Sequence, residues 1–168
     1  MYSLNVPVPG PVAKLAVEIA RDLPDAHHRV RGGHTLGVKR LVGDTDSYYH
    51  LESKVRELLV GQPPFESRIT SIEYFPDAPT GSSPVVYLAV ESPELERLHR
   101  KLAETFEPLD EIEGDGYTPH VTIARGGSLE RAQAVAAREI EPYTWTVNEL
   151  IFWDSERIQP VSSVSLPA

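Results

Sequence analysis

Tyr117-Thr118-Pro119-His120-Val121-Thr122-Ile123-Ala124-Arg125 is β-branched and apolar after its proline. Gly114 and Gly116 lie before it and Gly126-Gly127 after it. Branched side chains suit a pleated surface and glycines punctuate the ends, so the run reads as a strand. Successive side chains on a strand alternate faces. His120 and Thr122 therefore share one face, and Val121 and Ile123 share the other. The apolar pair can meet a core while an imidazole and a hydroxyl stand side by side on the opposite surface. One His-Val-Thr is a weak signal, so a partner has to come from elsewhere in the chain.

Upstream of this run, residues 85–90 are a near-continuous apolar strand. Ser92 then caps a helix with Pro93 at its first position, Glu94 and Glu96 in its first turn, and a stripe of Leu95, Leu98, Leu102 and Phe106. An acidic loop, residues 108–116, leads into the quoted stretch. Downstream, Ser128 caps an alanine-rich helix over 129–139. Residues 143–153 read as a strand and 158–166 as the closing one.

The first half has the same rhythm. Residues 2–8 alternate as an opening strand. Pro11 starts a helix over 11–23 in which Leu15, Ile19 and Leu23 recur at helical spacing. Residues 29–42, containing His34-Thr35-Leu36-Gly37, are a second strand. Gly43-Asp44-Thr45-Asp46 reads as a turn and N-cap. A helix over 46–60 follows, carrying Leu51, Val55, Leu58 and Leu59, and Gly61-Gln62-Pro63-Pro64 stops it. Residues 65–75 are a strand and 76–84 a loop rich in proline, glycine and serine.

Residues 1–75 and 85–153 thus each run strand, helix, strand with histidine, helix, strand. The expected fold is α+β, one domain over 1–168. It is a bilobal pseudo-symmetric duplication, two antiparallel sheets facing a central cleft with helices packed outside. His34 and His120 then hold equivalent positions, one per lobe.

These residues resemble the two-histidine (2H) phosphoesterase superfamily, the group of 2′-5′ RNA ligases and cyclic phosphodiesterases. Its signature is two copies of His-x-Thr/Ser-x, one on each lobe. His120-Val121-Thr122-Ile123 matches in full. His34-Thr35-Leu36-Gly37 departs from it, with Thr one position after His and Leu36 in the hydroxyl's place. Either a glycine-permitted bulge turns Thr35 into the site, or this lobe contributes its histidine without a hydroxyl.

The resemblance implies opening of a 2′,3′-cyclic phosphate, or formation and cleavage of 2′-5′ linkages, on RNA ends or small nucleotides. His34 and His120 would be the paired acid and base, since imidazole titrates near neutrality. Thr122, and Thr35 with it, would bond non-bridging oxygens. Arg125 would help hold the phosphate where the strand ends or twists near Gly126, because its odd offset from His120 puts it on the other face. Arg40 shares His34's parity. Tyr117 reads either as a platform for a base or as core. No metal or other cofactor is expected. The alternative is a catalytically silent RNA- or nucleotide-binding module on the same scaffold; an unrelated α+β interaction protein is a third reading.

Composition narrows the classes further. The 168 residues include no cysteine, which removes disulfides and thiolate chemistry. The net charge of −9 argues against sequence-blind binding to nucleic acid but leaves room for a local cationic cleft. No basic-then-apolar leader or long apolar run is evident, so a soluble, cytoplasmic protein is expected; a monomer is expected as well. His27, His28, His50 and His99 read as ordinary surface or packed histidines, and the acidic loop as a solvated segment or a flap.

Overall fold

Each helix forms where the sequence supplies a start signal and an apolar stripe. The computed structural model describes residues 1–42, 47–109 and 112–168; the expected turn and cap at Gly43-Asp44-Thr45-Asp46 lies outside them. Helix α1 (Gly10–Ala20) has proline in its first turn and buries Val12, Ala13, Ala16, Ile19 and Ala20. Helix α2 (Tyr48–Leu59) is capped by Ser47, whose side chain accepts from His50 N, and it buries Leu51, Val55 and Leu59. In α3 (Pro93–Ala103), Ser92 accepts from Leu95 N, acidic residues fill the first turn and basic residues the last. Ser128 caps α4 (Leu129–Ala136) by accepting from Arg131 N. This last helix is shorter than expected.

The strands are β1 (Tyr2–Val6), β2 (His27–His28), β3 (Leu36–Leu41), β4 (Phe65–Phe75), β5 (Val85–Glu91), β6 (His120–Arg125), β7 (Tyr143–Val147), β8 (Glu149–Asp154) and β9 (Gln159–Ser165). They follow one hydrogen-bonded path, β7-β4-β5-β6-β3-β1-β8-β9, with β2 also on β6. Neighbouring pairs are antiparallel. The two expected sheets are therefore two halves of one path, joined where Leu36 pairs with Val121.

Each half takes strands from both sequence repeats. β4 joins β5 and β6, while β8 joins β1 and β3. The exchange depends on Asn148. Residues 143–153 break there into β7, on β4, and β8, on β1. The carbonyl of Asn148 accepts from Leu166 N at 2.8 Å, so the break is itself hydrogen-bonded.

Two one-residue irregularities shape the inner face. Between β3 and β1, Gly37 pairs with Asn5 and Lys39 with Leu4, so Val38 is an extra residue on β3. Between β6 and β5, Thr122 pairs with Tyr87 and Ala124 with Val86, so Ile123 is an extra residue on β6. A bulge of this kind flips the parity of every residue beyond it.

Helix α1 packs on β6, α3 on β3 and β4, and α4 on β4 and β5. Leu36, Val38, Val121 and Ile123 point into the core beneath these helices and are fully buried. The opposite face is left to line a cleft.

Candidate active site

His120 opens β6 directly after Pro119, whose carbonyl accepts from Val90 N at 3.1 Å. The ring is held from two directions. Its Nδ1 lies 2.6 Å from the Thr118 carbonyl, which makes Nδ1 the protonated nitrogen and leaves Nε2 as the free one. Tyr87 and Phe75 pack against it edge-on, with centroids at 5.4 and 5.9 Å. Burial pushes the His120 pKa below its usual 6.5. The Thr118 bond opposes the shift, and Arg125, Arg40 and Arg29 reinforce it. The imidazole is thus neutral at pH 7, a base with one open nitrogen.

Leu36 and Val121 share the core face, so their flanking residues turn to the other side. The antiparallel sense places Thr35 beside Thr122 and Gly37 beside His120. These four residues line one cleft of about 550 Å³.

Arg125 and Arg40 also line it. The parity argument against Arg125 is overturned by the bulge at Ile123, which returns it to His120's face. The bulge at Val38 brings Arg40 to Thr35's face in the same way. Arg125 Nη1 donates to the Thr80 carbonyl at 2.9 Å. Gly81, at φ +79, lets the 76–84 loop pass so close that a Cβ there would lie 3.1 Å from that nitrogen. Among the described residues, Arg29, Arg40 and Arg125 make no ion pair. An acidic protein therefore carries a local concentration of uncompensated positive charge.

The structure does not bring His34 to this cleft. Its residue is 7% exposed, and neither ring nitrogen has a hydrogen-bond partner. Burial, and then Arg29, push its pKa down. The physical reason is pleat parity: His34 is two residues from the core-facing Leu36, whereas Thr35 falls on the cleft side. The expected strand over 29–42 is also shorter. Gly32, at φ +89, and a Gly33 N to Val30 carbonyl bond of 2.9 Å make a turn there, and regular pairing begins at Leu36. Thr35 reaches the cleft without a bulge before it.

Tyr117 lines the cleft, but its bonding is structural. Its hydroxyl donates to the Gly37 carbonyl at 2.7 Å, and its ring stacks on His99 at 3.8 Å. His99 is fully buried and satisfied at both nitrogens, with the Val38 carbonyl at 2.7 Å from Nδ1 and Gly114 N donating to Nε2 at 2.9 Å. Glu113 is correspondingly anchored. Glu113 accepts from Lys39 Nζ at 2.7 Å, Arg40 N at 2.8 Å and Leu109 N at 3.0 Å. These bonds hold its carboxyl below the usual carboxylate range despite burial.

The sequence reading passed over Arg29 and the buried Lys39–Glu113 pair. Arg29 follows β2, and its N–H donates to the Ile123 carbonyl at 3.0 Å, so the bulged residue seats it beside the cleft. Its signal was present in the basic run Arg29-Val30-Arg31 next to a motif strand. His27 and His28, read as ordinary surface or packed histidines, pair with Arg125 and Ala124. Among the described residues there is no cluster of three or more His, Asp or Glu placed to hold a metal ion.

A strand-borne histidine and threonine beside a cationic cleft on an α+β scaffold place the chain with the 2H phosphoesterase superfamily. The profile of the 2′-5′ RNA ligase superfamily matches residues 39–159, and the chain belongs to that superfamily. The matched segment includes His120 and begins after Thr35. Among solved structures, Escherichia coli LigT complexed with NADP+ is similar at 16% identity and a TM-score of 0.67, over 99% of this chain and 97% of that one. LigT complexed with 3′-AMP gives 15% and 0.66, over 99% and 98%. A structure described as a phosphoesterase gives 14% and 0.62, over 99% and 98%. Comparison with curated proteins finds no match. No helix among the described residues is long and apolar enough to cross a membrane.

Proposed function

We propose that the cleft binds the phosphate of an RNA end or a small nucleotide and opens a 2′,3′-cyclic phosphate without a metal. The observation that carries this reading is His120. Its neutral ring is fixed through Nδ1, its Nε2 is free, and it lies beside Thr122 and within the field of three arginines. In the reaction a water oxygen bonds to phosphorus as one P–O(ribose) bond breaks. One proton leaves the water and one reaches the ribose oxygen. His120 is the group on this chain suited to carry a proton near neutrality. Thr122 and Thr35 bond the non-bridging oxygens, and the arginines balance their charge. The LigT complexes with 3′-AMP and NADP+ support a nucleotide as the ligand class here.

The second reading, a nucleotide-binding module without turnover, is favoured by the burial of His34 away from the cleft. Incubation with a 2′,3′-cyclic nucleotide in EDTA separates the two. Turnover that disappears in His120→Ala supports the enzyme. Saturable binding without product supports the module. Neither binding nor product rejects both.

A further inference from the structure

We infer that Thr35 stands in one half of the cleft where His120 stands in the other, so that the site holds one imidazole facing a threonine. The inference rests on the cleft being a nucleotide-phosphate site. Three features give the same correspondence.

The first is the junction between the halves. Leu36 pairs with Val121, and these are the residues that follow Thr35 and His120. A twofold relation between the halves requires that self-pairing. The order of strands agrees with it: outward from the junction, β6, β5, β4, β7 answer to β3, β1, β8, β9.

The second is the position of the bulges. Val38 is extra three residues after Thr35, and Ile123 is extra three residues after His120. The third is the basic pair. Arg40 and Arg125 come five residues after Thr35 and His120, and both line the cleft. Counting from His34 instead puts all three features one residue out of step. By this correspondence Gly37 answers to Thr122, and His34 answers to Pro119, whose side chain is also buried.

The consequence is chemical. Opening a cyclic phosphate in line needs a proton taken on one side of phosphorus and a proton given on the other. His120 serves one side. The Thr35 hydroxyl can donate a hydrogen bond to a phosphate oxygen but does not ionise near pH 7, so it cannot replace an imidazole as acid or base. The chain therefore holds a phosphate between Thr35, Thr122 and His120 with half of an acid–base pair, and His34 takes no part.

The test uses the intact chain, labelled with nitrogen-15 and titrated with adenosine 3′-monophosphate while the imidazole resonances are followed. Ligand affinities of Thr35→Val, Thr122→Val and His34→Asn are measured alongside. The expected result is that His120 ring signals move on saturation and those of His34 do not. Thr35→Val and Thr122→Val each weaken binding about tenfold, the loss of one hydrogen bond to a charged phosphate oxygen, and His34→Asn binds as the parent does. A His34 shift comparable to that of His120, or normal binding by Thr35→Val beside weakened binding by Thr122→Val, overturns the inference. Failure of the parent chain to bind the nucleotide at all is a separate result; it removes the functional reading beneath the inference.

Discussion

Leu36 and Val121, both fully buried, are the residue pair that bridges β3 and β6, and their pairing sets the inner face of the cleft. Each anchors its strand to the core under the helices. Each thereby sends its two neighbours to the opposite side: Thr35 and Gly37 from one strand, His120 and Thr122 from the other. Hydrophobic burial fixes which face is which, and the polar site is what remains on the other face.

Acid should destabilise the fold beginning below about pH 6.5, the usual histidine range. His34, His99 and His120 all have pKa values lowered first by burial. Between the folded values and the unfolded one, the unfolded chain binds more protons, so stability rises with pH across that window and is lost on acidification. Urea unfolding at pH 7, 6 and 5 should show falling stability, and His34→Asn should flatten part of the slope. A profile independent of pH would contradict the assigned burial.

Glu113 should matter strongly to stability. Its carboxylate meets Lys39 Nζ at 2.7 Å, with side chains 6% and 0% exposed respectively. Glu113→Ala leaves a buried ammonium without its counter-charge, although the Arg40 and Glu107 carbonyls still accept from it. The expected cost is about 3 kcal/mol, or roughly 6–12 °C in melting temperature for a chain of this size. The Lys39→Met/Glu113→Ala double variant should recover part of that loss by calorimetry, because it removes the stranded charge.

Arg40 and Arg125 should contribute comparably to phosphate affinity, since the two bulges bring them to equivalent places. Replacing either by Ala should weaken nucleotide binding about tenfold, the scale of one lost charge-assisted hydrogen bond. Titration at rising salt should show a shallower dependence in each variant than in the parent. A large loss at one and none at the other would contradict their equivalence.

A second imidazole belongs at position 35. Thr35→His should raise the rate of cyclic-phosphate opening by about a hundredfold, the lower scale of general acid–base assistance, measured as product formed in EDTA. The double variant with His120→Ala should lose that gain.

Much of the fold was legible because its signals are local. Ser92-Pro93 before Leu95, and Pro11 before its apolar stripe, define helix starts by capping and backbone restriction. His120 and Thr122 were legible because β6 is regular up to Thr122. The strand exchange at Asn148 was not, because one break in an otherwise apolar run gives no sign of which neighbour each piece will join. The bulges at Val38 and Ile123 were hidden for a similar reason: an extra β-branched residue looks like any other strand residue. Parity counted through them put Arg125 on the wrong face, and counting from His34 rather than Thr35 put a histidine where the pleat sends a threonine. The matching five-residue spacing of Thr35 to Arg40 and His120 to Arg125 was in the sequence and would have given the register.

A crystal structure of the chain with adenosine 3′-monophosphate tests the central claim most directly. The account predicts the phosphate within hydrogen-bond distance of His120 Nε2, Thr122 and Thr35, with Arg40 and Arg125 beside it and His34 still buried. A phosphate bonded to His34, or seated away from His120, would contradict it.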